Sequence, residues 1–538
     1  MYKNVKKLVF MRKRVLSFAL TINILFVALC GRLFSLSVFP KQASTQSGTR
    51  VRDIAISRGN IYDRNLYSFT NEKIQYIACI KPTKKALEFL SKSEDSETLK
   101  NIAQGRFIFK KTDTPQKYEG CEDIRVLPYF QRYSDNTLTH ISGYTDQSGH
   151  GVSGIEKYYN NFLKNTGGTL SVAYSADANG RMMTGEAVEI RDNGYYDKSG
   201  LFLTIDKNMQ LILEEAMEKG NIQKGAGVIL NTQTNEILAC ASFPTYDRSN
   251  LEEALNNADS PFINRAFSAF PVGSVFKVVT AAASIENNIE LKEYICDGSI
   301  TLSANTFRCS KLEGHGKIDF RTAMAKSCNP YFIELGARTG GKKILEMSHK
   351  FHLGESIDFG NNFMTDSGIL PLEEDLVSKA DTGNLAFGQG KLTATPIQIA
   401  SIFSAIGNGG YYITPSLIAG AVDKDGNITS EAEATNKEKV LKNRTCNILK
   451  NALEKTVTDG TGKSAQSNLY TCCTKTSTAQ SGQYDENGNE IKFCWFVGFF
   501  PKENPQYTIC IMKENGVSGG SDCGPVFKEI AENILFNF

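Results

Sequence analysis

Histidine is scarce in this chain. The 538 residues include five histidines, and the last of them is His352. The string Gly516–Gly520 fits the G-x-S-x-G pattern of a hydrolase nucleophile elbow, but that mechanism needs a histidine after the serine. A hydrolase of this type is therefore excluded. A formal net charge of only +2 gives no support for nucleic-acid binding.

Metal-ligand patterns are missing as well. His349 and His352 have a spacing that one helix face could use for a metal, but no cysteine or carboxylate pattern completes a site. His315 stands between two glycines, which indicates a loop. The sequence therefore predicts neither a metal nor another cofactor.

Acidic residues are absent from the first 52 positions, while six basic residues lie within positions 1–14. The apolar stretch that follows, 15–39, has an uninterrupted part of 17 residues, Val15–Gly31. This length is near the lower limit of about 17 to 25 for a membrane-spanning helix. The charge distribution predicts a cytoplasmic tail over 1–14, an anchor over 15–39 and an extracytoplasmic remainder. A cleaved signal peptide is the alternative, but no small-x-small cleavage site follows, which favours an uncleaved anchor.

Cysteines are numerous but irregularly spaced. Thirteen occur, and twelve of them follow Cys30. In a chain of this size most are expected to be small buried apolar residues. Cys296 and Cys309 bracket a short segment, and they are the first pair to test for a disulfide.

Three short strings stand in a fixed order: Ser274–Lys277 (SVFK), Ser327–Asn329 (SCN) and Lys475–Thr478 (KTST). Each alone has an ordinary explanation, respectively a polar pair on a helix, a helix cap and a polar edge strand. Together they supply a serine nucleophile, two lysines, a second hydroxyl and an amide. Those are the parts of an acyl-transfer site that works without histidine.

The first string precedes an apolar run, Val275–Ile285, that predicts a buried helix. Residues three apart share a helix face, so Lys277 would lie one turn from Ser274. A lysine can act as base for a serine only where burial or a nearby cation destabilises its ammonium. Lys475 is the candidate for that second cation.

The other two strings supply groups for the leaving amine and the substrate. Ser327 is the candidate proton relay, and Asn329 could bind a substrate amide, although Asn329 before Pro330 also predicts a helix N-cap. Lys475 lies in a predicted strand, Leu469–Ala479. Its ammonium and the hydroxyls of Thr476 and Thr478 would form a pocket for a carboxylate.

These strings resemble the S-x-x-K, S-x-N and K-[TS]-G motifs of the penicillin-binding protein and serine β-lactamase superfamily. The resemblance covers nearly all of the chain after the N-terminal segment. One position departs from it, because Ser477 stands where the family usually has glycine, and altered affinity for substrate or β-lactam is expected. Five further segments resemble signatures of the class B members, which are monofunctional transpeptidases: Arg58–Asn65 (RGNIYDRN), Gly151–Glu156 (GVSGIE), Leu203–Asp206 (LTID), Gly388–Gly390 (GQG) and Trp495–Gly498 (WFVG).

The resemblance implies an α+β fold. A penicillin-binding transpeptidase domain of the serine β-lactamase-like type would occupy 201–538, with an antiparallel five-stranded sheet flanked by helices. An elongated non-catalytic pedestal domain of the dimerisation type would occupy 41–200, preceded by one transmembrane helix.

The implied activity is that of a peptidoglycan D,D-transpeptidase in the bacterial cell membrane. Ser274 would form an acyl-enzyme with a D-Ala–D-Ala stem peptide and release D-Ala, with Lys277 as base and Ser327 as relay. Backbone N–H groups of Ser274 and Thr478 would form the oxyanion hole. β-Lactams would acylate the same serine, and a membrane glycan polymerase is the expected partner. The alternative is a non-catalytic scaffold or β-lactam-sensing protein that retains the fold.

Overall fold

The computed structural model describes residues 2–38, 48–183, 185, 187–432, 436–484 and 488–538. The chain forms two compact units. The large unit holds every candidate site residue and includes two segments that precede residue 200. The small unit comprises Met1–Ile56, Gln75–Tyr129 and Thr169–Asn193, and the large unit comprises Ser57–Ile74, Phe130–Gly168 and Gly194–Phe538.

A single long helix, Tyr2–Val38, begins the small unit. Its segment Arg14–Arg32 has 19 residues and a mean hydropathy of 1.9, and none of it is buried in the protein. Within the described part of the chain, it is the one helix long and apolar enough to cross a membrane, and it fits a single-pass anchor. Residues 39–47, which include the end of the predicted anchor and the start of the predicted pedestal, lie outside the described residues.

The rest of the small unit contains two three-stranded sheets. In one the strand order is Gly48–Ile56, Thr169–Ala176, Glu189–Asn193, and in the other it is Ile108–Thr112, Lys73–Ile80, Ile124–Gln131. The helices Lys84–Leu90 and Ser96–Ala103 pack against the second sheet. Their shared apolar core includes Ala78, Ile80, Ala86, Leu90 and Ile102.

A five-stranded antiparallel sheet, here called the central sheet, organises the large unit and confirms the predicted fold class. Alternate residues of its strands enter two different cores: Trp495 and Val497 pack in one, and Phe496 packs in the other. Because side chains alternate between the faces of a strand, both faces of the sheet are buried. The strand order is Ile237–Phe243, Gly225–Asn231, Tyr507–Glu514, Glu490–Phe500, Cys473–Tyr484.

Helices cover both faces of the central sheet. Lys207–Lys219 and Gly524–Asn537 share one core with it, and Lys277–Glu286, Pro396–Gly407 and Asn443–Asp459 share the other. The other α-helices described in the large unit have 4 to 11 residues: Thr139–Ser142, Gly154–Tyr158, Asn160–Asn165, Leu251–Leu255, Phe320–Ala325, Asn329–Thr339, Gly341–Lys350 and Lys379–Ala386.

Two of the segments that carry the family resemblance meet at a buried ion cluster. Arg58 donates from Nε to Glu156 Oε2 at 2.9 Å, and Arg132 donates from Nε to Glu156 Oε1 at 2.7 Å. Burial alone would raise the pKa of Glu156, but the charges of Arg132 and Arg58 outweigh it and hold the pKa below its usual value. A four-stranded sheet lies in the same unit, in the order Ile428–Glu431, Ile418–Val422, Gly200–Leu203, Asn60–Tyr62.

Candidate active site

Ser274 lies in a short 3₁₀ turn, Gly273–Phe276, and the α-helix begins only at Lys277. The sequence predicted a helix over Val275–Ile285. The structure confirms this helix from Lys277 onward, whereas Val275 and Phe276 belong to the 3₁₀ turn. In a 3₁₀ turn, side chains three apart are eclipsed, which places Ser274 and Lys277 on the same side. Ser274 is half-buried and Lys277 is fully buried.

Two segments of the family resemblance hold this turn in place. The N–H of Gly273 donates to the carbonyl of Gly388 at 3.0 Å. A Cβ added at Gly388 would lie 1.9 Å from the Gly273 oxygen, so only glycine allows this approach. Trp495 donates from Nε1 to the Pro271 carbonyl at 2.9 Å. The central sheet and the GQG segment therefore fix the chain immediately before Ser274.

The hydroxyl of Ser327 joins two buried lysines. Lys277 Nζ donates to Ser327 Oγ at 3.1 Å, and Lys475 Nζ donates to the same oxygen at 3.0 Å. Lys277 also donates to the Ser327 carbonyl at 2.8 Å and to Asn329 Oδ1 at 2.7 Å. Among the described residues, neither lysine has a carboxylate within 4.0 Å. The structure thus brings Lys277, Ser327, Asn329 and Lys475 together, as predicted.

Burial makes both ammonium groups unfavourable. It lowers the pKa of Lys277 to about 7, against the opposing charges of Cys328 and Cys309. Burial, and after it the charge of Lys277, lower the pKa of Lys475 well below its ordinary value. A lysine with a pKa near 7 is largely able to accept a proton at neutral pH, which is the property that a general base needs.

Ser327–Asn329, here called the SCN loop, has an unusual backbone. Ser327 adopts φ 54°, a left-handed conformation that is uncommon outside glycine. The predicted N-cap role of Asn329 is wrong, because Cys328 is the N-cap and Asn329 is the first residue of the helix Asn329–Thr339. Its side chain is engaged elsewhere, since Oδ1 accepts from Lys277 and Nδ2 donates to the Arg308 carbonyl at 3.1 Å.

The third string lies on the edge strand of the central sheet, Cys473–Tyr484, which begins four residues later than predicted. Thr476 and Thr461 share a hydrogen bond between their Oγ1 atoms at 2.6 Å. Thr478 is exposed, and its Oγ1 accepts from Gly519 N at 3.4 Å. No sequence pattern indicates that Thr461 and Gly519 belong to this site, because their chain segments match only unrelated glycine-rich patterns.

Ser477 contacts the backbone of the predicted nucleophile, Ser274. Its Oγ accepts a hydrogen bond from the backbone N–H of Ser274 at 2.7 Å. That N–H is one of the two expected oxyanion-hole donors. Because serine stands here in place of the usual glycine, its hydroxyl accepts the hydrogen bond that the Ser274 N–H would otherwise donate to a developing oxyanion.

Comparisons with known proteins place these features in a family. Residues 225–532 match the penicillin binding protein transpeptidase domain. The chain is 28% identical over 518 residues to stage V sporulation protein D of Bacillus subtilis, covering 89% of this chain and 78% of that protein. It is also 28% identical over 429 residues to the peptidoglycan D,D-transpeptidase FtsI of Buchnera aphidicola, covering 77% of this chain and 71% of that protein.

Solved structures show the same fold. Penicillin binding protein 3 from Mycobacterium tuberculosis, complexed with ampicillin, is similar with a TM-score of 0.65 at 23% identity. The similarity covers 90% of this chain and 96% of that one. A complex of the same protein with aztreonam gives a TM-score of 0.64.

Proposed function

The chain belongs to the penicillin-binding protein transpeptidase family, and from this premise we propose that it is a peptidoglycan D,D-transpeptidase with Ser274 as its nucleophile. One observation carries the proposal: the Ser327 hydroxyl is hydrogen-bonded to two buried lysines, one of which lies three residues after Ser274. This arrangement supplies a base and a proton relay without histidine.

Acylation begins with attack of Ser274 Oγ on the carbonyl carbon between the two terminal D-Ala residues of a stem peptide. Lys277 accepts the hydroxyl proton, since burial keeps much of its amine neutral near pH 7. The backbone N–H groups of Ser274 and Thr478 stabilise the oxyanion. The C–N bond then breaks, and Ser327 relays the proton held by Lys277 to the departing amine of D-Ala.

The second half of the reaction transfers the acyl group. The amine of a neighbouring stem peptide attacks the Ser274 ester and loses a proton to the lysine–serine network. The new amide bond is the cross-link; the bond from the acyl carbon to Ser274 Oγ breaks, and the network returns the proton to that oxygen. Lys475, Thr476 and Thr478 line the strand edge where the substrate carboxylate would bind, because an ammonium and hydroxyls are suitable donors for it. A β-lactam would open its ring on the same serine and remain as an ester.

The N-terminal helix supports a role at the membrane. We infer that residues 1–14 face the cytoplasm and that the large unit lies on the outer side, because the basic residues precede the span. Glycan strands are made at this surface, and a membrane glycan polymerase is the partner that would supply them. The region 41–200 would serve as a non-catalytic pedestal.

A non-catalytic scaffold or β-lactam sensor is the second candidate. The hydrogen bond from Ser274 N to Ser477 Oγ favours it, since an oxyanion hole filled by the protein itself would slow acyl transfer. The convergence of two lysines, Ser327 and Asn329 favours the enzyme, because a scaffold has no need for two buried lysines that have no carboxylate partner among the described residues.

The test is covalent labelling of the detergent-purified full-length chain with a fluorescent penicillin, followed by assay of D-Ala release from a D-Ala–D-Ala pentapeptide. We expect both in the wild type and neither in Ser274→Ala. Ser284→Ala is the matched control, since Ser284 is a buried serine on the same helix and should keep both activities. Labelling that persists in Ser274→Ala would refute Ser274 as nucleophile. A folded wild type with neither activity would favour the scaffold.

A further inference from the structure

Four potential metal ligands meet beside the SCN loop. Cys296, Cys309, His315 and Cys328 each offer one ligand atom, and all four atoms lie within 4.8 Å of one another. The three cysteines are free and buried, and His315 is half-buried. No disulfide joins Cys296 and Cys309, the pair that the sequence marks as the first to test for one. Among the described residues, this is the one group of three or more His, Cys, Asp or Glu side chains that could hold a metal ion.

Two antiparallel strand pairs, one nested in the sequence of the other, carry Cys296, Cys309 and His315, while Cys328 belongs to the SCN loop. Cys296 ends the strand Tyr294–Cys296, whose partner strand Gly316–Ile318 begins directly after His315. The second pair, Ser299–Leu302 with Asn305–Arg308, leads directly into Cys309.

Glycines make the close approach of these segments possible. The N–H of Cys309 donates to the Gly298 carbonyl at 2.8 Å. Gly298 has φ +99°, and a Cβ there would lie 1.8 Å from the Leu312 oxygen. Gly314, with φ +82°, would place a Cβ 2.2 Å from the Cys296 oxygen. The loop is thus folded tightly around the four side chains.

We propose that Cys296, Cys309, His315 and Cys328 bind one Zn²⁺ ion. Three thiolates and one imidazole form a closed tetrahedral set of the kind that structural zinc sites use. With Zn–S bonds of about 2.3 Å, sulfur atoms in such a tetrahedron are about 3.8 Å apart, so the cluster needs to contract only slightly. The observed 3.4 Å between Cys309 Sγ and His315 Nδ1 already suits two ligands of one ion. This proposal replaces the sequence-based expectation of no metal.

The position of the site gives the ion a role. Cys328 lies between Ser327 and Asn329, so a ligand bond at its sulfur would hold the SCN loop from within. The neighbour of Cys309, Arg308, accepts a hydrogen bond from Asn329 Nδ2 at 3.1 Å. The ion would therefore hold the backbone next to Asn329 through Cys328 and the acceptor of its Nδ2 through Cys309. Both restraints would keep Asn329 Oδ1 in place to accept the hydrogen bond from Lys277. The four cluster residues are positioning residues, and this role rests on the proposed function.

The first test measures metal directly. The full-length chain is purified in detergent without chelator, and zinc is determined by elemental analysis. We expect about one zinc per chain in the wild type and a loss of about tenfold or more in Cys309→Ser and His315→Asn. Cys510→Ser is the matched control, because Cys510 is a buried cysteine of the central sheet outside the cluster, and it should keep its zinc.

Cobalt provides a readout that does not depend on activity. Protein produced with Co²⁺ should show the thiolate-to-cobalt charge-transfer band and the d–d bands of a tetrahedral site, and both should weaken in Cys309→Ser. Three results would overturn the proposal: no metal in the folded wild type, an unchanged metal content in both cluster variants, or a disulfide among Cys296, Cys309 and Cys328 in a non-reducing peptide map.

The positioning role has its own experiment. Removal of zinc by a chelator should slow acylation by penicillin by about tenfold, and added Zn²⁺ should restore it. Ser274→Ala should retain the zinc while it loses labelling, so failure of the proposed function leaves the metal result intact. An acylation rate that is unchanged after verified removal of zinc would refute the positioning role.

Discussion

At the scale of single residues, the Ser477 hydroxyl occupies one N–H donor of the proposed oxyanion hole. Its hydroxyl must leave the Ser274 N–H before a substrate oxygen can bind there. We expect Ser477→Gly to raise the second-order rate constant of acylation by penicillin about 3- to 10-fold, the equivalent of one hydrogen bond. The rate constant is measured by labelling with a fluorescent penicillin that is quenched at a series of times.

Ser477→Gly removes both the hydroxyl and the Cβ, and Ser477→Ala separates these two changes. It removes the hydroxyl but keeps the Cβ, so it should show most of the gain if the hydroxyl is the obstacle. A slower reaction in both variants would mean that the Ser477 hydroxyl assists acylation.

The pH dependence of acylation follows from Lys277. Its pKa is lowered by burial to about 7, while the nearby Cys328 and Cys309 oppose that shift and Lys475 is the second cation in contact with Ser327. Because the proposed base is the neutral amine of Lys277, acylation should rise about tenfold per pH unit below pH 7 and level off above it. Labelling rates between about pH 5 and pH 9 give the profile.

Lys277→Arg is the control for this assignment. A guanidinium remains protonated throughout the range, so the variant should lose about 100-fold or more of the rate and show no rise near pH 7. If the wild-type profile is flat across that range, Lys277 is not the base.

At the scale of helices and strands, the sequence predicted those elements whose position depends on local residue patterns. The strand that carries Lys475 was predicted over Leu469–Ala479 and is observed over Cys473–Tyr484, because its alternating β-branched residues are a local pattern. The 3₁₀ turn at Ser274 was missed, since it depends on the approach of Gly388 from more than a hundred residues away.

The site shows the same division. Asn329 was predicted as a helix cap because Asn before Pro has that meaning locally, but the side chain bonds to Lys277 instead. The Cys–His cluster left no local pattern either. Its members are separated by 13, 6 and 13 residues, and only the folding of the two strand pairs and of the SCN loop makes them neighbours.

The buried cluster of Glu156 shows what the segments Arg58–Asn65 and Gly151–Glu156 contribute as elements. Glu156 is fully buried between Arg58 and Arg132, so Glu156→Gln would leave two guanidinium groups without their carboxylate. We expect a loss of about 3 to 5 kcal/mol in the free energy of unfolding of the large unit. Urea titration followed by the fluorescence of Trp495, the single tryptophan, measures it.

An exposed glutamate gives the comparison. Glu346→Gln, on the surface of the helix Gly341–Lys350, should change the free energy of unfolding by no more than about 0.5 kcal/mol. Equal urea midpoints for the two variants would show that the ion cluster is not a source of stability.

At the scale of the whole molecule, attachment to the membrane and chemistry are assigned to different parts of the chain. The segment Arg14–Arg32 is entirely unburied, and every candidate site residue lies in the large unit. A variant that lacks residues 2–47 should therefore move from the membrane fraction to the soluble fraction and retain the labelling rate of the full-length chain within about twofold. Trp495 fluorescence verifies its folding. A folded variant that stays with the membrane would show a second attachment surface, and one that is soluble but unlabelled would show that the N-terminal segment supports the active site.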